Sequence, residues 1–160
     1  MISPAIAIRP LRNDDISAAA ALARHAFDAA VAPTLSPEGC ATFYAYVLPD
    51  ALSDRHRDGY LTQVVEVDGQ LAGLAQLKPP GHLCMLFVAP SLQRLGLGGR
   101  LADAIVVRAV EYTPSLTEIT VNASLNAVHA YEHFGFVATD VAQTRFGLRY
   151  VPMRRVLNPA

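Results

Sequence analysis

Long apolar runs, cysteine, lysine and net charge are all scarce in this chain of 160 residues. No stretch reaches the ~18 uninterrupted apolar residues that a membrane-spanning helix needs. The run Ala18-Ala19-Ala20-Ala21-Leu22-Ala23 stops at Arg24 and His25, and Leu101 to Val110 is interrupted by Asp103 and Arg108. The mean hydropathy of +0.26 therefore needs another source than a span. Ile6-Ala7-Ile8 is too short for a signal sequence and no basic stretch precedes it, so a cytoplasmic location is expected. The two cysteines, Cys40 and Cys84, lie in apolar or helical surroundings without metal-ligand spacing. They read as buried free thiols rather than a disulfide. Charged residues make up 17% of the chain, against about 25% in ordinary domains. The 13 basic and 14 acidic residues leave a net charge of −1. That balance excludes a whole-surface nucleic-acid binder and leaves room only for a local basic patch. Lys78 is the single lysine, so 12 of the 13 basic residues are arginine. With the abundance of alanine, this is the composition of a GC-rich bacterial genome. Repeats, low-complexity segments and charge blocks are missing too, and with them solenoids and disordered tails.

What is present is apolar: 52% of residues, enough for one domain over residues 1–160 with a core that needs no staples. Ala5 to Arg9 reads as a first strand closed by Pro10. Asn13-Asp14-Asp15 then offers a cap and first-turn acids to a helix that buries Ile16, Ala19, Ala20, Ala23, Phe27 and Ala30 at helical spacing. Pro33 ends it. Ser36-Pro37-Glu38 starts a second helix carrying Phe43, Tyr44, Tyr46 and Val47. Pro49 to Tyr60 is polar, an exposed loop or a short frayed helix. Leu61–Val67 and Leu71–Leu77 flank Asp68-Gly69, a strong hairpin signal. A further strand runs from His82 to Val88. After a glycine-rich turn, the next helix carries Leu101, Ala104, Ile105, Ala109 and Tyr112 on one side and Val106, Val107 and Val110 elsewhere. Apolar positions on more than one face predict a helix covered on two sides. Leu116–Val121 reads as a strand, Asn126–His133 as a short helix, and Phe136–Val141 and Arg149–Leu157 as final strands. One mixed α/β sheet with helices on both faces fits this order.

The turn Gln93-Arg94-Leu95-Gly96-Leu97-Gly98-Gly99-Arg100 lies between a strand end and a helix start. Glycines let successive N–H groups approach an anion. The helix N-terminus adds partial positive charge, and Arg94 and Arg100 add full charges. A plain β-to-α turn using glycine only for its backbone angles is the competing reading. A P-loop is excluded, because Arg100-Leu101 follows the glycines where Lys-Ser/Thr is required. The dinucleotide fingerprint fails as well, since Leu101 occupies its third glycine position.

Gln93-x-x-Gly96-x-Gly98 after Leu86-Phe87-Val88-Ala89-Pro90 resembles the pyrophosphate loop of the GNAT superfamily of acyl-CoA-dependent N-acetyltransferases. Ala123 to Phe136, with Tyr131-x-x-x-Gly135-Phe136, resembles the same family's late helix and signature. Ile8-Arg9-Pro10 and the Asp68-Gly69 hairpin match too, and the resemblance is weakest over residues 31–60. It implies a mixed, mostly antiparallel sheet of about seven strands, splayed between strands four and five, with about four helices on its two faces. It implies acetyl-CoA in the wedge and no metal. Backbone groups of Leu86, Phe87 and Val88 would bind pantetheine, and amides of Arg94, Leu95, Gly96, Leu97, Gly98 and Gly99 the pyrophosphate. Ser124 and Asn126 would contact the cofactor arm. At Ser124 the sequence departs from the family, which often carries Asn there. Tyr131 matches the family's general acid, returning a proton to the departing thiolate as an amine attacks the thioester.

Many relatives place a glutamate base at the start of strand four, where this chain has His82. A histidine can accept a proton at neutral pH, and an exposed turn histidine is the competing reading. Glu66 is a further candidate, while Cys84 reads as a packed thiol rather than a nucleophile. His129 and His133, four apart without a third ligand, read as a solvated face. The amine acceptor, small molecule or peptide, is expected at a rim formed by residues 31–60, where Tyr44, Tyr46, Asp50, Asp54 and Asp58 are candidates beside the reading of an ordinary solvated loop. A non-catalytic acyl-CoA-binding module of the same fold is the alternative function. Part of the apolar surface is available for a homodimer contact.

Overall fold

The computed structural model describes residues 3–157. Its strands are β1 (Ile6–Pro10), β2 (Leu61–Val67), β3 (Gln70–Lys78), β4 (His82–Val88), β5 (Glu118–Ser124), β6 (Val137–Ala138), β7 (Gln143–Arg145) and β8 (Leu148–Val156). They form one sheet in the order β1-β2-β3-β4-β5-β8-β6, with β7 also on β8. The helices are α1 (Ile16–Ala30), α2 (Pro37–Tyr46), α3 (Pro49–Arg57), α4 (Leu97–Tyr112) and α5 (Val128–His133). The expected mixed, mostly antiparallel sheet between helices is observed. The polar segment after Pro49 resolves as helix α3, and the last two strands become three.

The two faces of the sheet explain the hydropathy. On one face α1 and α3 close a core around Ala20, Ala23, Leu52, Val64, Leu74 and Met85. On the other, α4 packs Leu97, Leu101, Ile105 and Ala109 onto Val65, Ala75 and Leu83. Neighbouring residues such as Val64 and Val65 therefore point into different cores, so β2 and β3 are buried along nearly their whole length. The outer side of α4 is open: Val107, Val110 and Tyr112 are exposed, against the expectation of cover on two sides.

The feature that positions the site is a failure of pairing. β4 and β5 run parallel and share only two residue pairs, His82 with Thr120 and Leu83 with Val121. From Cys84 onward β4 pairs with β3 on one edge alone. Meanwhile β5 stays paired with β8 along its whole length, up to Ser124 opposite Tyr150. The two strands splay, and the unpaired edge of β4 faces the gap with its backbone N–H and C=O groups unclaimed by the sheet.

Candidate active site

The splay opens into a cleft of about 760 Å³. Leu86, Phe87 and Val88 line it from β4, as do Gly96, Gly98 and Gly99 from the glycine turn, Ser124 at the end of β5, Asn126 just after it, and Tyr131 from α5. His82 lines it as well. Arg94 and Leu95 lie outside the lining in an exposed 3-10 turn, and the Leu97 side chain is buried in the α4 core. Any role for these three must run through their backbone N–H groups. Arg100 is exposed outside the cleft.

The glycines of the turn have separate reasons. Gly96 sits in the left-handed region, φ 70°, where it caps α4 and frees the first helical amides to face outward. Gly98 is short for packing: a Cβ there would lie 3.1 Å from the Phe134 ring. Removing it would push α4 off α5 and move the anion-facing amides. Turn geometry and an anion cradle are thus compatible, because the N-terminus of a helix of 16 residues opens beside the cleft.

Tyr131 is buried against Phe134 and Phe136, whose rings meet it edge-on at 6.0 and 5.4 Å. Burial raises its phenol above the ordinary tyrosine value, so it stays a proton donor across neutral pH. His82 is a half-buried side chain at the mouth of the splay rather than an exposed turn residue. Its Nδ1 lies 2.9 Å from the Thr120 hydroxyl across the β4–β5 pair. Desolvation, assisted by Lys78, lowers its pKa and favours the neutral imidazole. Cys84 is held protonated by burial and lies against Tyr46, a packed thiol as expected. Both cysteines are free.

Two groups of sequence candidates lie away from the cleft, and the histidine pair is the solvated face it was expected to be. Glu66 is away from the cleft: it accepts hydrogen bonds from Arg9, which also binds Asp15, tying β1, β2 and the start of α1 together. Tyr44 is turned toward Asp28 and Arg24. Asp50, Asp54 and Asp58 do not line the cleft, and Asp54 pairs with Arg57. His129 and His133 are exposed near Glu132, and no three-ligand metal cluster occurs among the described residues. Of the five candidates named on the rim, Tyr46 alone lines the cleft. Arg55 of α3 braces it from behind, with its guanidinium 3.7 Å over the ring and hydrogen bonds to the Tyr46 carbonyl and to buried Gln76.

Sequence reasoning missed the aromatic wall beyond Tyr46. Phe27 stacks on Phe43 at 3.9 Å, and Phe43 meets Phe87 of β4 edge-on at 5.6 Å. It also missed the far wall, the β7–β8 hairpin with Arg145, Phe146 and Tyr150. The Thr42 hydroxyl donates to the Phe146 carbonyl at 2.8 Å, so the hairpin tip is fastened to α2.

Comparison with known proteins agrees with this geometry. Residues 31–157 match the model of the acetyltransferase (GNAT) domain. The GCN5-related N-acetyltransferase from Rhodopseudomonas palustris superposes with TM-score 0.83 at 27% identity, covering 98% of this chain and 99% of that one. The PaiA N-acetyltransferase from Thermoplasma acidophilum, in complex with coenzyme A, gives 0.76 at 18%, over 96% and 99% of the two chains. The yncA protein of Salmonella typhimurium, with its cofactor acetyl-CoA, gives 0.68 at 21%, over 98% and 96%. No curated protein matches the sequence significantly.

Proposed function

Because the chain belongs to the GNAT acetyltransferase family, an acetyl-CoA-dependent enzyme family, we propose that it acetylates a primary amine by direct attack on the thioester, as one domain over residues 1–160. The observation that carries this reading is the unpaired edge of β4 facing a cleft that also holds Tyr131, His82 and the start of α4. An extended pantetheine arm can use that edge as a strand would, through the N–H and C=O groups of Leu86 and Val88, while those of Phe87 between them turn to β3. The amides around Gly96 to Gly99 suit the pyrophosphate, and Ser124 and Asn126 suit the amides of the arm.

An alkylamine with a pKa of about 10.4 is almost wholly protonated at neutral pH. His82, neutral through burial, takes a proton from the ammonium group directly or through one water. The nitrogen lone pair then attacks the carbonyl carbon, and the oxyanion is held by β4 N–H groups. When the C–S bond breaks, the electron pair leaves with sulfur and the Tyr131 hydroxyl supplies its proton. The phenolate recovers a proton from the acetylated nitrogen as it becomes a neutral amide. The raised pKa makes the phenol a weaker acid than a thiol, so its proton passes to sulfur together with the one that the far more acidic acetylated nitrogen returns to it.

Tyr131→Phe tests the acid role. Turnover should fall about a hundredfold or more, while affinity for acetyl-CoA, measured by calorimetry, stays near the wild-type value. Unchanged turnover would remove Tyr131 from the mechanism. A silent acyl-CoA-binding module would bind acetyl-CoA and release no CoA thiol with any amine.

A further inference from the structure

We infer that the acceptor is an apolar amine carrying a carboxylate, the chemistry of an aromatic or branched-chain α-amino acid; this rests on the acetyl-transfer reading of the same cleft. Two observations carry it. The first is the wall next to β4. Phe27, Phe43 and Phe87 form a continuous aromatic contact, extended by Tyr46, and it begins on the strand assigned to the thioester. Val31 and Leu35 carry the apolar lining on toward α2. A polyamine or a lysine side chain would bring charge to this wall with only the weak attraction of the ring faces and no carboxylate among the described cleft residues to pair it.

The second is the sign of the charge. No aspartate or glutamate lines the cleft among the described residues, whereas Arg145 and Arg149 do. Both arginines are exposed on the β7–β8 hairpin. The Arg145 guanidinium lies 5.3 Å from the centroid of Phe146, whose carbonyl is bonded to Thr42 of α2. The hairpin that carries the positive charge is thus fastened to α2, the helix that also carries Phe43 of the aromatic wall. An arginine at such a mouth donates paired N–H groups to a carboxylate and repels a second ammonium group. The aromatic wall would take the side chain, the hairpin arginines the carboxylate, and the amine would lie between them near β4.

Matched pairs of acceptors test this: phenylalanine against phenethylamine, and leucine against isopentylamine, with spermidine as a cationic comparison. CoA release should favour each amino acid in kcat/KM by about ten- to a hundredfold, the range expected of one charge-assisted contact. In Arg145→Gln/Arg149→Gln that ratio should collapse toward one, and Arg145→Glu should invert it. Preference for the decarboxylated amines or for spermidine would overturn the proposal. So would an unchanged ratio in the arginine variants, or a loss of acetyl-CoA affinity there, which would assign the arginines to the cofactor. Acetyl-CoA binding without transfer to any of these amines would reject the acceptor class alone. Failure to bind acetyl-CoA would reject the underlying reading instead.

Discussion

Tyr131 and His82 are both moved from their ordinary pKa values by burial, and in opposite directions that suit opposite tasks. The phenol is held protonated and the imidazole neutral, so a donor and an acceptor coexist at pH 7. For His82 the sign is definite. In the proposed mechanism its lowered pKa would keep the base competent below the ordinary histidine value of about 6.5, and activity should drop only as pH falls through the lowered folded-state value. Replacing His82 with Gln should remove that acid limb from the pH profile of kcat/KM and lower the neutral-pH rate by about a hundredfold. The titration of the amine itself is common to wild type and variant and cancels in their ratio. A limb that survives in the variant would belong to another group. Stability follows the same sign. Below about pH 6.5 the unfolded chain takes up a proton at this histidine before the folded one does, so folding weakens with acidification. Tyr131 could be placed from the sequence because Gly135 and Phe136 follow it at a fixed spacing. The Thr120 partner of His82 could not, since it is supplied by a strand 38 residues away.

Helix α2 and the β7–β8 hairpin meet through two glycines with no side chains between them. A Cβ on Gly39 would strike the backbone of Gly147, and one on Gly147 the backbone of Gly39. Gly147 also holds φ 78° in the turn, beside Phe146 at φ 53°, while Gly39 is ordinary helix. Gly39→Ala therefore isolates the clash, since alanine by itself favours a helix. It should lower stability by about 1–3 kcal/mol, the usual cost of overpacking, and raise KM for the amine by loosening the hairpin, while acetyl-CoA affinity holds. A denaturant melt together with the two binding parameters checks this; an unchanged KM for the amine would mean that the hairpin does not form the acceptor wall. The turn was hard to read in advance, because a bulky phenylalanine in the left-handed region is an uncommon turn residue. Asp68-Gly69, by contrast, carries its turn in its own backbone preferences and was legible at once. For helix α3 the sequence leaves loop and short helix both open, for a different reason. Its polar face looks outward and Leu52 is its one fully buried side chain, so no apolar stripe marks it.

At the scale of the molecule, the sheet leaves one interior edge incomplete. β2 and β3 are paired on both sides, whereas β4 loses its second neighbour after Leu83 and β5 leaves β4 after Val121, keeping β8 alone. The order of elements and the two covered faces followed from periodicity, because local side-chain spacing records which surfaces are buried. The splay left no such record: Leu86 and Val88 are as apolar as any paired strand, and only the likeness to a family pointed to a gap. A ligand that supplies the missing strand partner binds the folded state and has no counterpart in the unfolded one. Mass action then sets the size of the effect. At a hundredfold excess over Kd the gain is about 2.7 kcal/mol, or roughly 5–10 °C in Tm for a chain of this length. Acetyl-CoA and CoA should both give such a shift, since each carries the pantetheine arm and the pyrophosphate. ATP and NAD at equal concentration offer the adenosine phosphates without the pantetheine arm, and the turn, lacking the P-loop lysine and the third dinucleotide glycine, should give them little. A shift with ATP or NAD matching that with CoA would place the binding energy in the glycine turn and leave the open edge of β4 without a role.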